Sequence, residues 1–176
     1  IFSTPAVQGK YLVFGCTDGN IYALNAKNGR TIWKYAARKS VLGSPVIFND
    51  RVYVGASDGC FRALDLKTGK AVWTYSDVQG FVECRAYVDR DQVVFGTWGN
   101  RLYSLDPQTG ALQWEWKCDK PSRIYSPAAV WPIRASGKIF IAVPDRRHYA
   151  LDAATGKELR HYAKSAREAV GVSPDG

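Results

Sequence analysis

The chain has 176 residues, of which 46% are hydrophobic and 23% are charged, the balance of an ordinary folded domain. Its formal net charge is +8, but no motif that reads DNA or RNA accompanies the basic side chains, so we expect no nucleic-acid partner. No stretch approaches the roughly 18 consecutive apolar residues of a membrane-spanning helix, so we expect no direct membrane insertion.

Neither end of the chain nor its cysteines identify a compartment. No secretion signal is visible, and because the chain begins with Ile1 rather than Met, we expect its true start to be missing. The cysteines form no CxxC pair and no metal-type spacing with the two histidines; they are Cys16, Cys60, Cys84 and Cys118. We expect free, largely buried thiols, with a structural disulfide as the open alternative.

The first predicted elements are four short strands in close succession. TPAVQ (4–8) precedes the hairpin YLVFGCTDGNIYAL (11–24), in which Asp18-Gly19 supplies a tight turn. Asn28-Gly29 then makes a second turn into a strand that ends near Trp33. Alternating apolar positions indicate half-buried strands, so the segment predicts one four-stranded antiparallel sheet.

This unit recurs three times with a repeat length of about 40 residues, the signature of a repeat architecture. The four copies of its last turn are ALNAKNGRTIW (23–33), ALDLKTGKAVW (63–73), SLDPQTGALQW (104–114) and ALDAATGKELR (150–160). The recurring acidic and amide residues at the third position suit turn stabilisation by backbone hydrogen bonds; they are Asn25, Asp65, Asp106 and Asp152. One such sheet cannot bury both faces, whereas stacked copies can, which favours propeller blades.

The fourth unit is longer than the others. We expect WPIRASGK (131–138) to extend the turn between its first two strands by about five residues. Such a turn projects from one rim of the sheet, which makes Trp131 a candidate contact residue. A passive insertion is the alternative.

The repeated motif A-L-(D/N)-x-x-(T/N)-G-x-x-x-W resembles that of the pyrroloquinoline-quinone-like, or quinoprotein-type, β-propellers, over about residues 4–162. The resemblance implies an all-β fold, a partial β-propeller of four-stranded antiparallel blades with tryptophan docking. It also implies that the motif tryptophans dock against the neighbouring blade; they are Trp33, Trp73 and Trp114. Arg160 stands where the fourth tryptophan is expected.

We predict a single propeller fragment, residues 1–176. Its expected blades are about 4–36, 44–76, 83–117 and 125–163, with the start of a fifth at about 168–176. Known relatives close with about six to eight blades, so missing blades or a second chain would have to complete the ring.

The resemblance raises the hypothesis of a quinone- and Ca²⁺-dependent dehydrogenase, but the residues present do not support it. No adjacent cysteines occur, and the only tight acidic pair, Asp89 and Asp91, lies where a hairpin should turn. The two histidines have no carboxylate or nucleophile at an informative spacing. We therefore expect no catalytic residues, no metal site and no cofactor in this segment.

Residues that break the repeat are the remaining candidates for function. Trp98 interrupts the Thr-Asp-Gly turn as Thr97-Trp98-Gly99-Asn100, which we interpret as an aromatic where the sibling turns have Asp. An exposed aromatic near arginines is typical of a protein interface, although Trp98 packing on a neighbouring loop is an equal alternative. The candidate partner contacts are Trp98, Trp131, Arg146, Arg147 and Arg160.

These residues favour a non-catalytic propeller that binds or scaffolds a protein partner, or senses one, as part of a larger bacterial protein. The resemblance favours a periplasmic or otherwise extracytoplasmic location. The alternatives are a quinoprotein dehydrogenase with its active site in missing blades, and a propeller appended to a hydrolase.

Overall fold

The computed structural model of the chain describes residues 2–118, 132–143 and 147–162. Those residues form strands and turns, and none of them belongs to a helix that could cross a bilayer.

The first sheet contains β1 (Ala6–Gln8), β2 (Tyr11–Gly15), β3 (Asn20–Asn25) and β4 (Thr31–Ala36). The second contains β5 (Val46–Phe48), β6 (Arg51–Gly55), β7 (Phe61–Asp65) and β8 (Ala71–Tyr75). The third contains β9 (Tyr87–Val88), β10 (Val93–Thr97), β11 (Arg101–Leu105) and β12 (Leu112–Lys117). The fourth contains β13 (Ile133–Ala135), β14 (Lys138–Val143), β15 (Arg147–Asp152) and β16 (Glu158–Tyr162).

Each sheet is an antiparallel meander in which strands adjacent in sequence are adjacent in space. Short turns that admit positive φ make this order accessible, since a tight hairpin joins only antiparallel neighbours. The prediction of an all-β fold built from four-stranded antiparallel sheets is confirmed.

Successive sheets pack face to face through three apolar clusters. Val13 and Ile21 of the first sheet meet Val54 and Leu64 of the second. A second cluster joins the second sheet to the third, and another joins the third to the fourth. Because side chains alternate across a strand, each inner sheet offers one apolar set to its predecessor and another to its successor.

The prediction of a long turn at 131–138 is wrong. Ile133–Ala135 is itself the first strand of the fourth sheet and pairs with β14, with Ile133 opposite Phe140. Ser136 and Gly137 make a two-residue turn with φ of 49° and 71°. Both positive values suit the right-handed twist of a hairpin. The extra residues of this unit therefore precede β13, and Trp131 lies outside the described residues.

A candidate partner-binding rim

The antiparallel order gives the stacked sheets two different rims. The turns between the second and third strands of each sheet share one rim with the segments that connect successive sheets, 37–45 and 76–86. We call this the connection rim. The turns of the repeated motif lie at the opposite rim, which we call the motif rim.

The motif rim is held by short-range hydrogen bonds. The Asp65 carboxylate accepts from the backbone amides of Lys67 and Thr68 and from the Thr68 hydroxyl, at 3.1, 2.8 and 2.7 Å. The hydroxyl and amide of Thr68 hold the pKa of Asp65 below its usual value. Asp106 and Asp152 repeat these contacts. The prediction that these carboxylates stabilise turns is confirmed.

The motif tryptophans join each sheet to the next. The Trp33 indole Nε1 donates to the Leu66 carbonyl at 2.8 Å. Trp73 and Trp114 donate to carbonyls of the following sheet at 3.1 and 2.9 Å. The three rings lie against the turn glycines of those sheets, which are Gly69, Gly110 and Gly156. Each indole thus combines apolar coverage with one directed hydrogen bond.

The acidic pair of the third unit is part of an ion pair between sheets. Asp89 and Asp91 lie in the β9–β10 turn, as predicted, but both accept from Arg134 of the fourth sheet. Burial raises the pKa of Asp89, but the Arg134 guanidinium and the amides of Asp91 and Gln92 more than offset it, so the net shift is downward. Arg134 was not identified from the sequence, since the misplaced turn assigned it to a loop.

On the connection rim, strand register corrects the interpretation of Trp98. Gly96 lies opposite Leu102 as Gly15 lies opposite Ile21, so the two turns have equal length. Trp98 therefore occupies the place of Thr17 and not of Asp18. Gly99 replaces the aspartate, and Asn100, with φ of 60°, replaces the glycine. A comparison of the repeats by sequence places Trp98 one residue too late in the turn, because it expects Gly at the position where Asn100 adopts the left-handed conformation.

Trp98 is 41% exposed and lies beside Phe81, which is 48% exposed. The Trp98 amide donates to the Phe81 carbonyl at 3.0 Å, and its indole Nε1 donates to Glu83 at 2.8 Å. Trp98 thus contacts a neighbouring loop, the alternative left open by the sequence, and is still half accessible. We call Trp98, Phe81 and Glu83 the aromatic patch.

The backbone beneath the aromatic patch is tightly packed. The Gly80 and Gly99 backbones approach so closely that neither position has room for a Cβ atom. The Thr97 hydroxyl donates to the backbone carbonyl of Gln79 at 2.8 Å, and the backbone amide of Gln79 donates to the buried Tyr103 hydroxyl at 3.0 Å. The turn that carries Trp98 is therefore held firmly against the connecting segment 76–86, which carries Phe81.

The other candidate contacts are dispersed. Arg147 begins β15 and is half buried, whereas Arg160 lies exposed on β16 with its guanidinium 5.2 Å from the Tyr162 ring centre. Arg146 and Trp131 lie outside the described residues. Among the predicted contacts that the structure describes, Trp98 is the aromatic one, whereas Arg160 lies beside Tyr162, which is 51% exposed.

A buried ion pair lies beneath the connection rim. Arg62 and Asp58 form a salt bridge in which both side chains are at most 4% exposed, and the guanidinium lies 5.8 Å from the Tyr35 ring of the first sheet. Sequence reasoning missed this pair, although Arg62 breaks the repeat where the first and third units have Tyr22 and Tyr103.

A shallow cleft of about 470 Å³ opens at the same rim between the first two sheets; its lining includes Asp18, Arg38, Lys39, Ser40 and Ser57. The hydrogen bond from Tyr22 lowers the pKa of Asp18 to about 2, so this carboxylate is charged at neutral pH beside the two basic residues. The mixed charge identifies no particular ligand.

The described residues do not match a quinone–calcium site. No group of three or more His, Cys, Asp and Glu side chains that could hold a metal ion is found in residues 2–118, 132–143 and 147–162. Asp89 and Asp91 are engaged by Arg134, and the motif aspartates Asp65, Asp106 and Asp152 accept hydrogen bonds from backbone amides of their own turns. Hard cations need several convergent oxygen ligands, and these carboxylates lie in separate turns.

Comparison with known proteins identifies the family. The family model described as outer membrane protein assembly factor BamB matches residues 2–176. The chain belongs to this family of quinoprotein-like β-propellers. A search of curated protein sequences gave no match.

Solved structures share the fold at low sequence identity. BamB from Moraxella catarrhalis is 21% identical with a TM-score of 0.74, over 91% of this chain and 47% of that one. The computationally designed Ika8 protein is 17% identical with a TM-score of 0.79, over 97% of this chain and 52% of the designed protein. Quinohemoprotein alcohol dehydrogenase from Comamonas testosteroni is 20% identical with a TM-score of 0.75, over 93% of this chain and 35% of the dehydrogenase. The chain thus spans between 35% and 52% of the length of these three structures.

Proposed function

We propose that this propeller segment is a non-catalytic module that binds a protein partner through the aromatic patch, in an extracytoplasmic compartment. The observation that carries the proposal is the pair of half-exposed side chains Trp98, in the turn where the repeat breaks, and Phe81, in the connecting segment hydrogen-bonded to that turn. Large aromatic side chains dominate binding energy at protein interfaces, and their two χ angles cost little entropy to immobilise.

The family supports a protein partner. Its model is named for an outer membrane protein assembly factor, and such a factor acts on or with other proteins. The basic excess of the chain adds a long-range attraction for an acidic partner, which raises the association rate more than the affinity. We propose that the partner contributes an apolar pocket or strand that covers both rings.

The test is site-specific photo-cross-linking in cells that express the full-length protein. A photoreactive phenylalanine analogue at position 98 should give a discrete cross-linked product, identified by mass spectrometry. Position 112 is the matched control, since Leu112 is 45% exposed on the outermost strand of the same sheet.

Binding of the identified partner should then weaken at least tenfold in Trp98→Ala, the loss expected of a hot-spot aromatic. Leu112→Ala should bind within about twofold of the unaltered protein. Equal cross-linking at positions 98 and 112, or unchanged affinity in Trp98→Ala, would reject the aromatic patch as the contact surface.

Similarity to quinohemoprotein alcohol dehydrogenase sustains one alternative, in which the parent protein is a dehydrogenase with its active site in other blades. Reconstitution of the full-length protein with pyrroloquinoline quinone and Ca²⁺ distinguishes the two. Dye-linked alcohol oxidation would favour the dehydrogenase, and its absence beside an active positive-control enzyme would favour the binding module.

A further inference from the structure

The aromatic patch contains a carboxylate with spare capacity for a partner. Glu83 accepts one hydrogen bond, through Oε2 from the Trp98 indole Nε1 at 2.8 Å. Within residues 2–118, 132–143 and 147–162, no lysine, arginine or histidine forms an ion pair with this carboxylate. A carboxylate offers about four acceptor sites, so most of those on Glu83 are available to a partner.

The charge around the aromatic patch is opposite in sign to that of the whole chain. The connecting segment that carries the patch contains Asp77, Glu83 and Arg85, and the turn of Trp98 contains no charged residue. Arg101, the next cation along the chain, is held in an ion pair with β12. The chain as a whole carries a formal charge of +8. Long-range attraction and close contact therefore select different charges on a partner.

The second sheet shows how such a group of side chains is completed within the chain. The Arg62 guanidinium lies 5.8 Å from the Tyr35 ring centre and forms an ion pair with Asp58. A guanidinium, an aromatic ring and a carboxylate thus form one unit beneath the connection rim. The aromatic patch presents the ring and the carboxylate of a similar unit at the same rim, and the described residues supply no cation to it.

Arginine is the side chain that suits both groups at once. The face of an indole attracts positive charge more strongly than any other aromatic side chain does. A planar guanidinium can lie on that face and donate from its edge to Glu83, which is hydrogen-bonded to the rim of the same ring. Because the indole N–H already donates to an anion, the ring is polarised in the sense that favours a cation. Lysine is less suitable, since its ammonium is strongly hydrated and cannot stack.

We propose that the aromatic patch binds an arginine side chain of the partner, with the guanidinium stacked on Trp98 and paired with Glu83. Phe81 would pack against the aliphatic carbons of that arginine. The inference rests on the proposed function and adds to it the chemistry of the partner: a contact segment centred on arginine.

The test uses short peptides, so it does not require the partner to be identified. The full-length protein is labelled with fluorotryptophan, and the Trp98 signal is assigned by its loss in Trp98→Phe. Fluorine NMR then follows titration with acetyl-Gly-Arg-Gly-amide and with the same peptide carrying citrulline or lysine in place of arginine. Citrulline keeps the shape of arginine without its charge. The arginine peptide should bind about fivefold tighter than either of the others.

Two variants locate the charge that selects arginine. Glu83→Gln should reduce the preference for arginine over citrulline to within about twofold, because the paired carboxylate is gone. Asp77→Asn is the matched control, since it removes the same charge from an exposed position on the same segment. It should keep the preference. The comparison of peptides on the unaltered protein does not depend on either variant being folded.

A preference for arginine that Glu83→Gln loses and Asp77→Asn keeps supports the inference. Equal binding of the arginine and citrulline peptides overturns it, as does a Trp98 signal that no peptide shifts. A lysine peptide that binds as tightly as the arginine peptide, or a preference that both variants lose equally, also overturns it. Cross-linking at position 98 without a preference for arginine would reject this inference alone and leave the proposed function intact.

Discussion

The indole ring of Trp33 lies against Gly69 of the next sheet, so closely that a Cβ atom at Gly69 would sit 2.6 Å from the ring. The same glycine adopts φ of 70° in its turn. A single residue thus serves two purposes, one in the backbone of its own unit and one in the interface with the preceding unit.

Gly69→Ala should destabilise the protein more than Gly29→Ala does. Both substitutions place Ala at positive φ, which costs about 1 kcal/mol, but only the first also forces a methyl group into an indole ring. We expect an additional loss of about 1–3 kcal/mol in the free energy of unfolding, the usual cost of overpacking. Urea denaturation of the two variants measures the difference directly, and equal midpoints would show that the ring moves aside without cost.

Removing one member of the buried pair Arg62 and Asp58 should be severe. Arg62→Leu leaves the Asp58 carboxylate buried without its cation, for which we expect a loss of about 3–5 kcal/mol. Asp58→Asn with Arg62→Leu removes both charges, so the double variant should be more stable than Arg62→Leu alone. A double-mutant cycle gives the coupling free energy between Arg62 and Asp58. Losses in the free energy of unfolding that simply add in the double variant would show that the two side chains do not interact energetically.

Stability should fall at acid pH because the protein lowers the pKa of Asp58. Burial raises the pKa of this carboxyl, but the Arg62 guanidinium and two backbone amides outweigh it, and the net value lies below 3.8. The unfolded chain therefore binds the proton more readily, so the stabilisation is complete above about pH 5 and is lost as the pH falls through the folded-state value. Asp65, Asp106 and Asp152 shift in the same direction.

Denaturant titrations at several pH values between 2 and about 6 measure this effect. The free energy of unfolding should decline below about pH 4 in the unaltered protein and less steeply in the Asp58→Asn, Arg62→Leu double variant. Parallel pH profiles of the unaltered protein and the double variant would show that the decline in stability comes from other carboxylates and not from Asp58.

Cys84 should be unreactive in the folded protein. Its side chain is 2% exposed, burial raises the pKa of its thiol to about 12, and its Sγ exchanges hydrogen bonds with the Gly96 backbone at 3.3 and 3.4 Å. The thiolate is the reactive form, so neither access nor ionisation favours attack. Ellman's reagent at pH 8 should detect equal numbers of thiols in native unaltered protein and native Cys84→Ala.

The two proteins should differ by one thiol after unfolding in denaturant. A difference already present in the native state would mean that the contact between Cys84, in the connecting segment 76–86, and Gly96 of β10 opens on the timescale of labelling.

The repeat, the four-stranded units and the turn role of Asp65, Asp106 and Asp152 were determined by the sequence alone. These features depend on alternation along a strand and on hydrogen bonds that span two or three residues, so each segment contains the information needed to predict them. The family resemblance followed from the same local motif, because its spacing repeats.

The tertiary structure decided which residues meet. It moved the start of the fourth sheet to Ile133, and it aligned Trp98 with Thr17. It also buried Arg62 against Tyr35 of another sheet. None of this is encoded locally, because register depends on cross-strand partners and burial depends on residues a whole repeat away. For the same reason Gly29 and Gly69, equivalent in sequence, differ in the folded chain: only Gly69 lies beneath the tryptophan of a preceding sheet.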